Sequence, residues 1–194
     1  MADRYTYLPL IGISIMLAWG IPSLIKIEET QKKILLPVGV VFLANLSFLT
    51  WQQCGYWKNS IELFSHTLQV TKNNYLAHTN LGVALIKDGK AEEGISHYYE
   101  ALQIKPDDSN AHYNLANALK KQGAIDEAIA HYREAIKWNP YYSKAHNNLG
   151  VCLEAQGLRD EAIIHYRQAL QIEPANPGFH FNLVMVLGRK GVLK

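Results

Sequence analysis

A 34-residue period in the C-terminal part of this 194-residue chain is the feature that most constrains its fold. The segment 109–142 matches segments 75–108 and 143–176 position by position. A fixed period of this length is typical of stacked supersecondary units, each of which buries its apolar face against its neighbours. The recurring positions carry leucine (Leu81, Leu115, Leu149), glycine (Gly89, Gly123, Gly157), tyrosine (Tyr98, Tyr132, Tyr166) and proline (Pro106, Pro140, Pro174).

Each unit is predicted to contain two antiparallel helices, because its apolar residues recur at helical spacing in two separate runs. In the central unit, Gly123 is expected to end the first helix, where a positive φ is needed. Asp126 and Glu127 suit the start of the second helix, because carboxylates interact favourably with the positive end of the helix dipole. Pro140 is expected to end that helix, and Ser143 is the expected N-cap of the next one. The two apolar runs are Leu115 and Leu119, then Ile125, Ile129, Tyr132 and Ile136.

Small residues occupy the positions where the helices are expected to approach closely. Tyrosines occupy the positions whose side chains are expected to fill the space between units. This pattern resembles the tetratricopeptide repeat, which implies an all-α solenoid whose first helices line a concave wall. One period before the first full repeat, Gly55 and Phe64 align with Gly89 and Tyr98. The small residues are Gly82, Ala116 and Gly150 on the first helices and Ala101, Ala135 and Ala169 on the second. The resemblance divides the chain into a half repeat (57–74), three full repeats (75–108, 109–142, 143–176) and a partial repeat (177–194).

The N-terminal region 1–56 differs in character from the repeats. Segments 8–25 and 34–51 each contain 18 residues without a charge, which is close to the length of roughly 17–25 residues needed to cross a bilayer. They predict a transmembrane hairpin, with a cleaved signal peptide or buried soluble helices as the alternatives. The connector 26–33 carries three lysines, so the positive-inside rule places it in the cytoplasm and the repeats on the extracytoplasmic side.

The order of these parts carries a second resemblance. The opening DRYTYLP (3–9), the two apolar segments and the stretch WKNSIELFSHTLQVTKNNYLAHTNLG (57–82) resemble the tail of membrane-embedded O-mannosyltransferases with C-terminal tetratricopeptide repeats. That likeness implies a substrate-recruiting region of a glycosyltransferase whose catalytic part lies upstream. On this view the chain is a fragment or a truncated relative, and it is not expected to be an enzyme by itself.

Charge and cysteine content narrow the remaining classes of function. The net charge is +2 and no basic run stands out, so a nucleic-acid partner is not expected. Cys54 and Cys152 lie far apart and predict neither a disulfide framework nor a metal site. No catalytic motif and no phosphate-binding loop occurs, and no cofactor is expected.

Seven of the eight histidines fall into two columns of the repeat. They lack H-x-H or H-E-x-x-H spacing, so we interpret them as half-buried packing residues rather than metal ligands. One column is His78, His112, His146 and His180, and the other is His97, His131 and His165.

A column of asparagines is the strongest candidate for a binding site. Asn80, Asn114, Asn148 and Asn182 precede the packed leucine position in every first helix. A side-chain amide offers both donors and an acceptor, which match the polar groups of a peptide backbone. These repeats are similar to the asparagine-ladder repeats of O-linked N-acetylglucosamine transferase, which implies an extended peptide in the concave groove. The alternative is that the amides bond to local backbone or between neighbouring helices.

Residues beside the asparagine column vary from unit to unit, as selectivity for a ligand requires, and Tyr113, Asn117 and Asn147 are the candidate contacts among them. The sequence therefore predicts a membrane-anchored repeat scaffold that binds a peptide or a partner protein. The alternative is the recruiting region of a glycosyltransferase described above.

Overall fold

The computed structural model describes residues 37, 39, 41–49 and 59–190. The chain divides into two compact units, 1–62 and 63–194. In the first unit, residues 41–49 are helical. Segment 8–25 lies outside the described residues, and segment 34–51 lies only partly within them. Among the residues that the structure describes, no helix has both the length and the apolar character needed to span a membrane.

The region 59–190 is built from helices, and no strand occurs in it. The predicted all-α repeat fold is therefore confirmed for this region. The helices are α1 (Ser60–Val70), α2 (Tyr75–Lys87), α3 (Ala91–Ile104), α4 (Ser109–Gln122), α5 (Ile125–Trp138), α6 (Ser143–Ala155), α7 (Arg159–Ile172) and α8 (Pro177–Arg189).

Successive helices pack in pairs, α2 with α3, α4 with α5 and α6 with α7. Each pair then contacts the next, so that α3 packs on α4, α5 on α6 and α7 on α8. Neighbouring first helices also touch, α2 with α4 and α6 with α8, whereas comparable contacts between second helices are absent from the described region. The first helices therefore line the inner side of the stack and the second helices the outer side.

Turn and cap residues explain where the helices end. Gly123 lies at the end of α4 with φ +84°, and Gly89 and Gly157 occupy the same position with similar positive φ values. This is the left-handed conformation that glycine adopts at little cost. Asn176 caps α8, and its side chain accepts hydrogen bonds from two backbone N–H groups at the start of the helix.

The expected N-cap role of Ser143 is wrong. The residue before the helix is Tyr142, which makes no side-chain cap, and Ser143 is the first residue of α6. Its hydroxyl is buried and donates to the Glu173 carboxylate, at the end of α7. A tertiary partner 30 residues away has replaced the local capping bond.

Close helix approach explains the small residues and the tyrosines of the repeat. A Cβ added to Gly82 would lie 2.6 Å from the Tyr98 ring, and one added to Gly150 would lie 2.8 Å from the Tyr166 ring. No real Cβ tolerates such contacts. The rings of Tyr98 and Tyr166 thus lie against the first helix of their own unit, whereas the sequence predicts them in the space between units. The largest fully buried side chains are Tyr132, Tyr166, Leu115, Leu149, Leu153, Val186 and Cys152.

A candidate peptide-binding face on the first helices

The seven residues proposed from the sequence all lie on first helices. Because one unit of the fold equals one sequence period, equivalent residues line up from helix to helix. Asn80 is exposed, and the other six are half-buried. They are Asn80 on α2, Tyr113, Asn114 and Asn117 on α4, Asn147 and Asn148 on α6, and Asn182 on α8.

Hydrogen bonds connect several of these side chains across neighbouring helices. The Asn148 amide donates to Asn117 Oδ1 at 2.9 Å, and the Tyr132 hydroxyl donates to the same oxygen at 2.6 Å. Asn147 donates to Asn148 Oδ1 at 3.3 Å, and Asn182 in turn donates to Asn147 Oδ1 at 2.8 Å. The chain of bonds therefore runs from α5 through α4 and α6 to α8. These asparagines use part of their hydrogen-bonding capacity for contacts between helices. Bonding between neighbouring helices is the alternative that the sequence analysis left open.

Asn80 and Asn114 behave differently. Neither side chain makes a hydrogen bond to another residue of the described region. Both amides therefore keep two donors and an acceptor available to a ligand. Asn114 is half-buried, and a polar side chain in such a place normally has a partner.

An aromatic cluster surrounds Tyr113, the residue before Asn114. The Tyr113 ring centroid lies 4.7 Å from that of Tyr142 and 6.0 Å from that of Tyr132. The Tyr142 hydroxyl donates to Asn110 Oδ1 at 3.1 Å. Burial raises the pKa of Tyr142 to about 12, so the ring presents a neutral hydroxyl at physiological pH.

Charge is distributed unevenly between the two kinds of helix. The first helices α2, α4, α6 and α8 carry five basic residues and a single acidic residue, Glu154. The second helices α3, α5 and α7 carry eight acidic and four basic residues. Glu154 is also neutralised by Arg189, whose guanidinium lies 2.6 Å away. The first helices therefore carry a net positive charge and the second helices a net negative charge. The basic residues of the first helices are Lys87, Lys120, Lys121, Lys144 and Arg189.

The structure also brings together the two histidine columns. In each full unit a histidine of the first helix faces a histidine of the second, 19 residues later. Metal-binding motifs of short spacing do not include this arrangement, because the pairing crosses the turn between two helices. The Nδ1–Nδ1 distances are 3.2 Å for His78 and His97, 3.0 Å for His112 and His131, and 3.2 Å for His146 and His165.

Backbone contacts fix the tautomers of two of these histidines. His112 Nε2 lies 3.0 Å from the Pro106 carbonyl, and His146 Nε2 lies 3.1 Å from the Pro140 carbonyl. A carbonyl oxygen can only accept, so Nε2 carries the hydrogen and Nδ1 accepts one from the partner histidine. Burial is the main cause that lowers the pKa of His146, which favours this neutral pair. The same cause lowers the pKa values of His78, His131 and His165.

Two models of the tetratricopeptide repeat family match the chain, over residues 73–138 and 113–177. Among solved structures, crystal structures of MamA are similar, one with a TM-score of 0.65 at 22% identity, covering 72% of this chain and 82% of that one. The first repeat domain of Spaghetti (RPAP3), bound to the HSP90 peptide SRMEEVD, has a TM-score of 0.60 at 23% identity. That match covers 64% of this chain and 98% of the RPAP3 domain. At these identities the likeness concerns the fold alone.

Curated relatives include two O-mannosyl-transferases. Human protein O-mannosyl-transferase TMTC4 is 30% identical over 99 residues, which are 50% of this chain and 13% of that protein. Drosophila melanogaster protein O-mannosyl-transferase Tmtc2 is 28% identical over 101 residues, which are 52% of this chain and 11% of that protein. Both match only the repeat part, so the glycosyltransferase alternative is not favoured. Family models, helix pairing and solved structures agree on one conclusion: the chain contains tetratricopeptide repeats.

Proposed function

We propose that the inner face of this scaffold binds an extended, acidic segment of a partner protein. The observation that carries the proposal is the pair of side-chain amides without partners in the described region, Asn80 and Asn114, on a face with excess positive charge. Amide groups spaced by one repeat suit an extended backbone, because each binds backbone N–H and C=O groups whatever the side chain.

The basic residues lie on the same helix faces as the asparagines. Lys87 follows Asn80 by seven residues, and Lys121 follows Asn114 by the same number. Seven residues are about two helical turns, so each lysine lies on the same face as its asparagine. A peptide whose backbone contacts the amides therefore passes close to ammonium groups, which favours acidic side chains.

The RPAP3 complex supports this choice of ligand class. The peptide bound to that repeat domain, SRMEEVD, carries three acidic residues and one basic residue. Its fold matches that of this chain over nearly the whole of the smaller domain. We therefore use this peptide as an acidic probe, and SRMKKVK as its charge-reversed counterpart.

The binding test uses the full chain and fluorescein-labelled SRMEEVD. Replacing Asn80 and Asn114 together by alanine removes two hydrogen bonds to the peptide, each worth about 0.5–1.5 kcal/mol net. The expected loss is therefore about 1–3 kcal/mol, or roughly five- to 150-fold in Kd. The melting temperature should change little, because neither amide has a side-chain partner within the described residues.

Charge-reversal variants provide a matched control. Lys121→Glu on α4 should weaken SRMEEVD binding, whereas Lys137→Glu on the second helix α5 should leave it unchanged. Peptide SRMKKVK should bind the wild-type chain more weakly than SRMEEVD. Equal effects of the two lysine variants, or an Asn80/Asn114 variant with unchanged affinity, would contradict the proposal.

We further propose that the segments 8–25 and 34–51 anchor the scaffold in a membrane, with the repeats on the extracytoplasmic side. This proposal is supported by two uncharged stretches of 18 residues and by three lysines in the connector between them. Such lengths suit a bilayer crossing, and the lysine bias suits a cytoplasmic connector.

A further inference from the structure

The histidine pair of the first full repeat differs from the other two pairs in having a carboxylate at ligand distance. Glu100 Oε2 lies 2.8 Å from His78 Nδ1 and 3.0 Å from His97 Nδ1. The two Nδ1 atoms are 3.2 Å apart. Three atoms that can each ligate a metal thus form a nearly equilateral triangle.

We propose that His78, His97 and Glu100 bind a divalent first-row transition-metal ion such as Zn²⁺. Imidazole nitrogen and carboxylate oxygen ligands lie about 2.0–2.2 Å from such an ion. Bonds of that length meeting at about a right angle place the ligand atoms about 3.0 Å apart, and tetrahedral angles place them about 3.4 Å apart. The observed separations of 2.8–3.2 Å fit the first arrangement, in which three ligands share one face and the other positions remain open.

Two packed helices hold these ligands. His97 and Glu100 are three residues apart on α3 and therefore lie on one face of the helix. His78 comes from α2, which packs directly against α3. The two helices approach closely, since a Cβ on Gly94 would lie 2.8 Å from the Gly82 carbonyl oxygen. A site built on rigid elements requires little rearrangement to bind a metal.

Solvent access and local charge also suit a metal ion. The side chains of His78 and His97 are 18% and 26% exposed, and that of Glu100 is 46% exposed. An ion can therefore enter, while two imidazoles and one carboxylate remain partly desolvated. Within the described region, Glu100 forms no ion pair with a lysine or arginine, so its charge is available to the ion.

The later repeats contain natural counterparts that lack the third ligand. In the second unit the equivalent carboxylate, Glu134, bonds to Lys137 at 2.9 and 3.1 Å. In the third unit the equivalent residue is Gln168, whose side chain is an amide and not a carboxylate. Both units keep the histidine pair, so the pair itself serves packing. The carboxylate at ligand distance is what distinguishes the first unit.

Calorimetric titration of ZnCl₂ into the full chain, after removal of metal with a chelator, tests the site. Glu100→Gln reproduces the residue found in the third unit and should eliminate one binding event, or weaken it at least about tenfold. His165→Asn removes a histidine at the position equivalent to His97, but in the third unit. That control variant should bind Zn²⁺ as the wild type does.

A gain-of-function variant tests the same idea in the opposite direction. Gln168→Glu supplies a carboxylate to the pair His146 and His165, and should add one Zn²⁺ per chain. Zn²⁺ should also raise the melting temperature of the wild type, because an ion that binds only the folded state stabilises it. This rise should be absent in Glu100→Gln, whose circular dichroism should match that of the wild type.

Three results would overturn the proposal. The first is a wild-type chain that takes up no Zn²⁺ at millimolar concentration. The second is an equal loss of Zn²⁺ affinity in Glu100→Gln and His165→Asn, and the third is an unchanged Zn²⁺ affinity in Glu100→Gln. Peptide binding on the inner face is measured separately with SRMEEVD, so failure of the one proposal leaves the other standing.

Discussion

At the scale of single residues, two glycines allow backbone conformation to be separated from packing. A Cβ added to Gly123 or to Gly188 would meet no atom within 4 Å. Gly123 has φ +84°, whereas Gly188 lies within α8 and has no positive φ. A methyl group at either position therefore changes only the conformational free energy of the backbone.

The two glycines should respond to alanine with opposite signs. Gly123→Ala should lower the free energy of unfolding by about 1–2 kcal/mol, because an L-residue is strained in the left-handed region. Gly188→Ala should raise it by about 0.5–1 kcal/mol, because alanine favours the helix over glycine. Urea unfolding of the two variants beside the wild type measures both changes. Equal shifts of the same sign would contradict this explanation of the glycine column.

Local rules allowed the glycine at the end of the first helix to be predicted, because that residue acts on backbone groups a few positions away. Gly123 ends α4 as expected. Ser143 fails as a cap because its hydroxyl bonds to Glu173, 30 residues away. A sequence rule that considers one helix end cannot include a partner from the next repeat.

At the scale of helices, the same limit explains what was missed at the sites. The asparagine column is visible in the sequence because it follows the period, but its bonding is not. Asn148 bonds to Asn117, 31 residues earlier, and this contact depends on how two first helices pack. The histidine pairs are likewise 19 residues apart, across a turn. Their recurrence at one spacing in three units was the available signal, once each unit was known to be a helix pair.

The buried histidine pairs should make folding depend on pH. Burial lowers the pKa values of His146 and His165 in the folded state, and the neighbouring His146 lowers that of His165 further. The unfolded chain therefore binds more protons as the pH falls below about 6.5, the ordinary pKa of histidine. The stabilisation that the neutral histidines provide is fully present above that pH. It is lost as the pH falls toward the lowered pKa values of the folded state. Glu161 and Gln168 act on His165 in the opposite direction, and Arg133 adds to the lowering.

Thermal unfolding between pH 7 and pH 5 measures this dependence. The melting temperature of the wild type should fall over this interval, and the double variant His146→Asn/His165→Asn should show a smaller fall. Cys152→Ala is the control, since Cys152 is buried in the same core and its pKa is raised by burial. It should lower the melting temperature equally at every pH in this interval. A double variant with the wild-type pH dependence would show that these histidines do not cause it.

At the scale of the whole molecule, contacts within the repeat stack join only neighbouring units, so properties of the stack are sums over units. The excess of positive charge on the first helices is one such sum, because each unit contributes only part of it. It was available from the sequence as soon as each helix was assigned to the inner or the outer side. The metal ligands, by contrast, belong to one unit and depend on a single residue, Glu100.

The proposed membrane anchor makes a prediction about the complete chain. Extraction of membranes with alkaline carbonate should leave the full-length protein in the pellet, because two uncharged segments of 18 residues suit the bilayer core. A chain that begins at Asn74 should appear in the supernatant.

Arginine substitutions at Met16 and Phe42, near the middle of the two segments, should release the full-length chain, since arginine at a span centre costs about 2.5–3.5 kcal/mol. Substituting arginine at Thr30, in the connector, is the matched control and should leave the chain in the pellet. Full-length wild type in the supernatant would rule out the anchor, and equal release by all three arginine substitutions would show that charge at the span centre is not the cause.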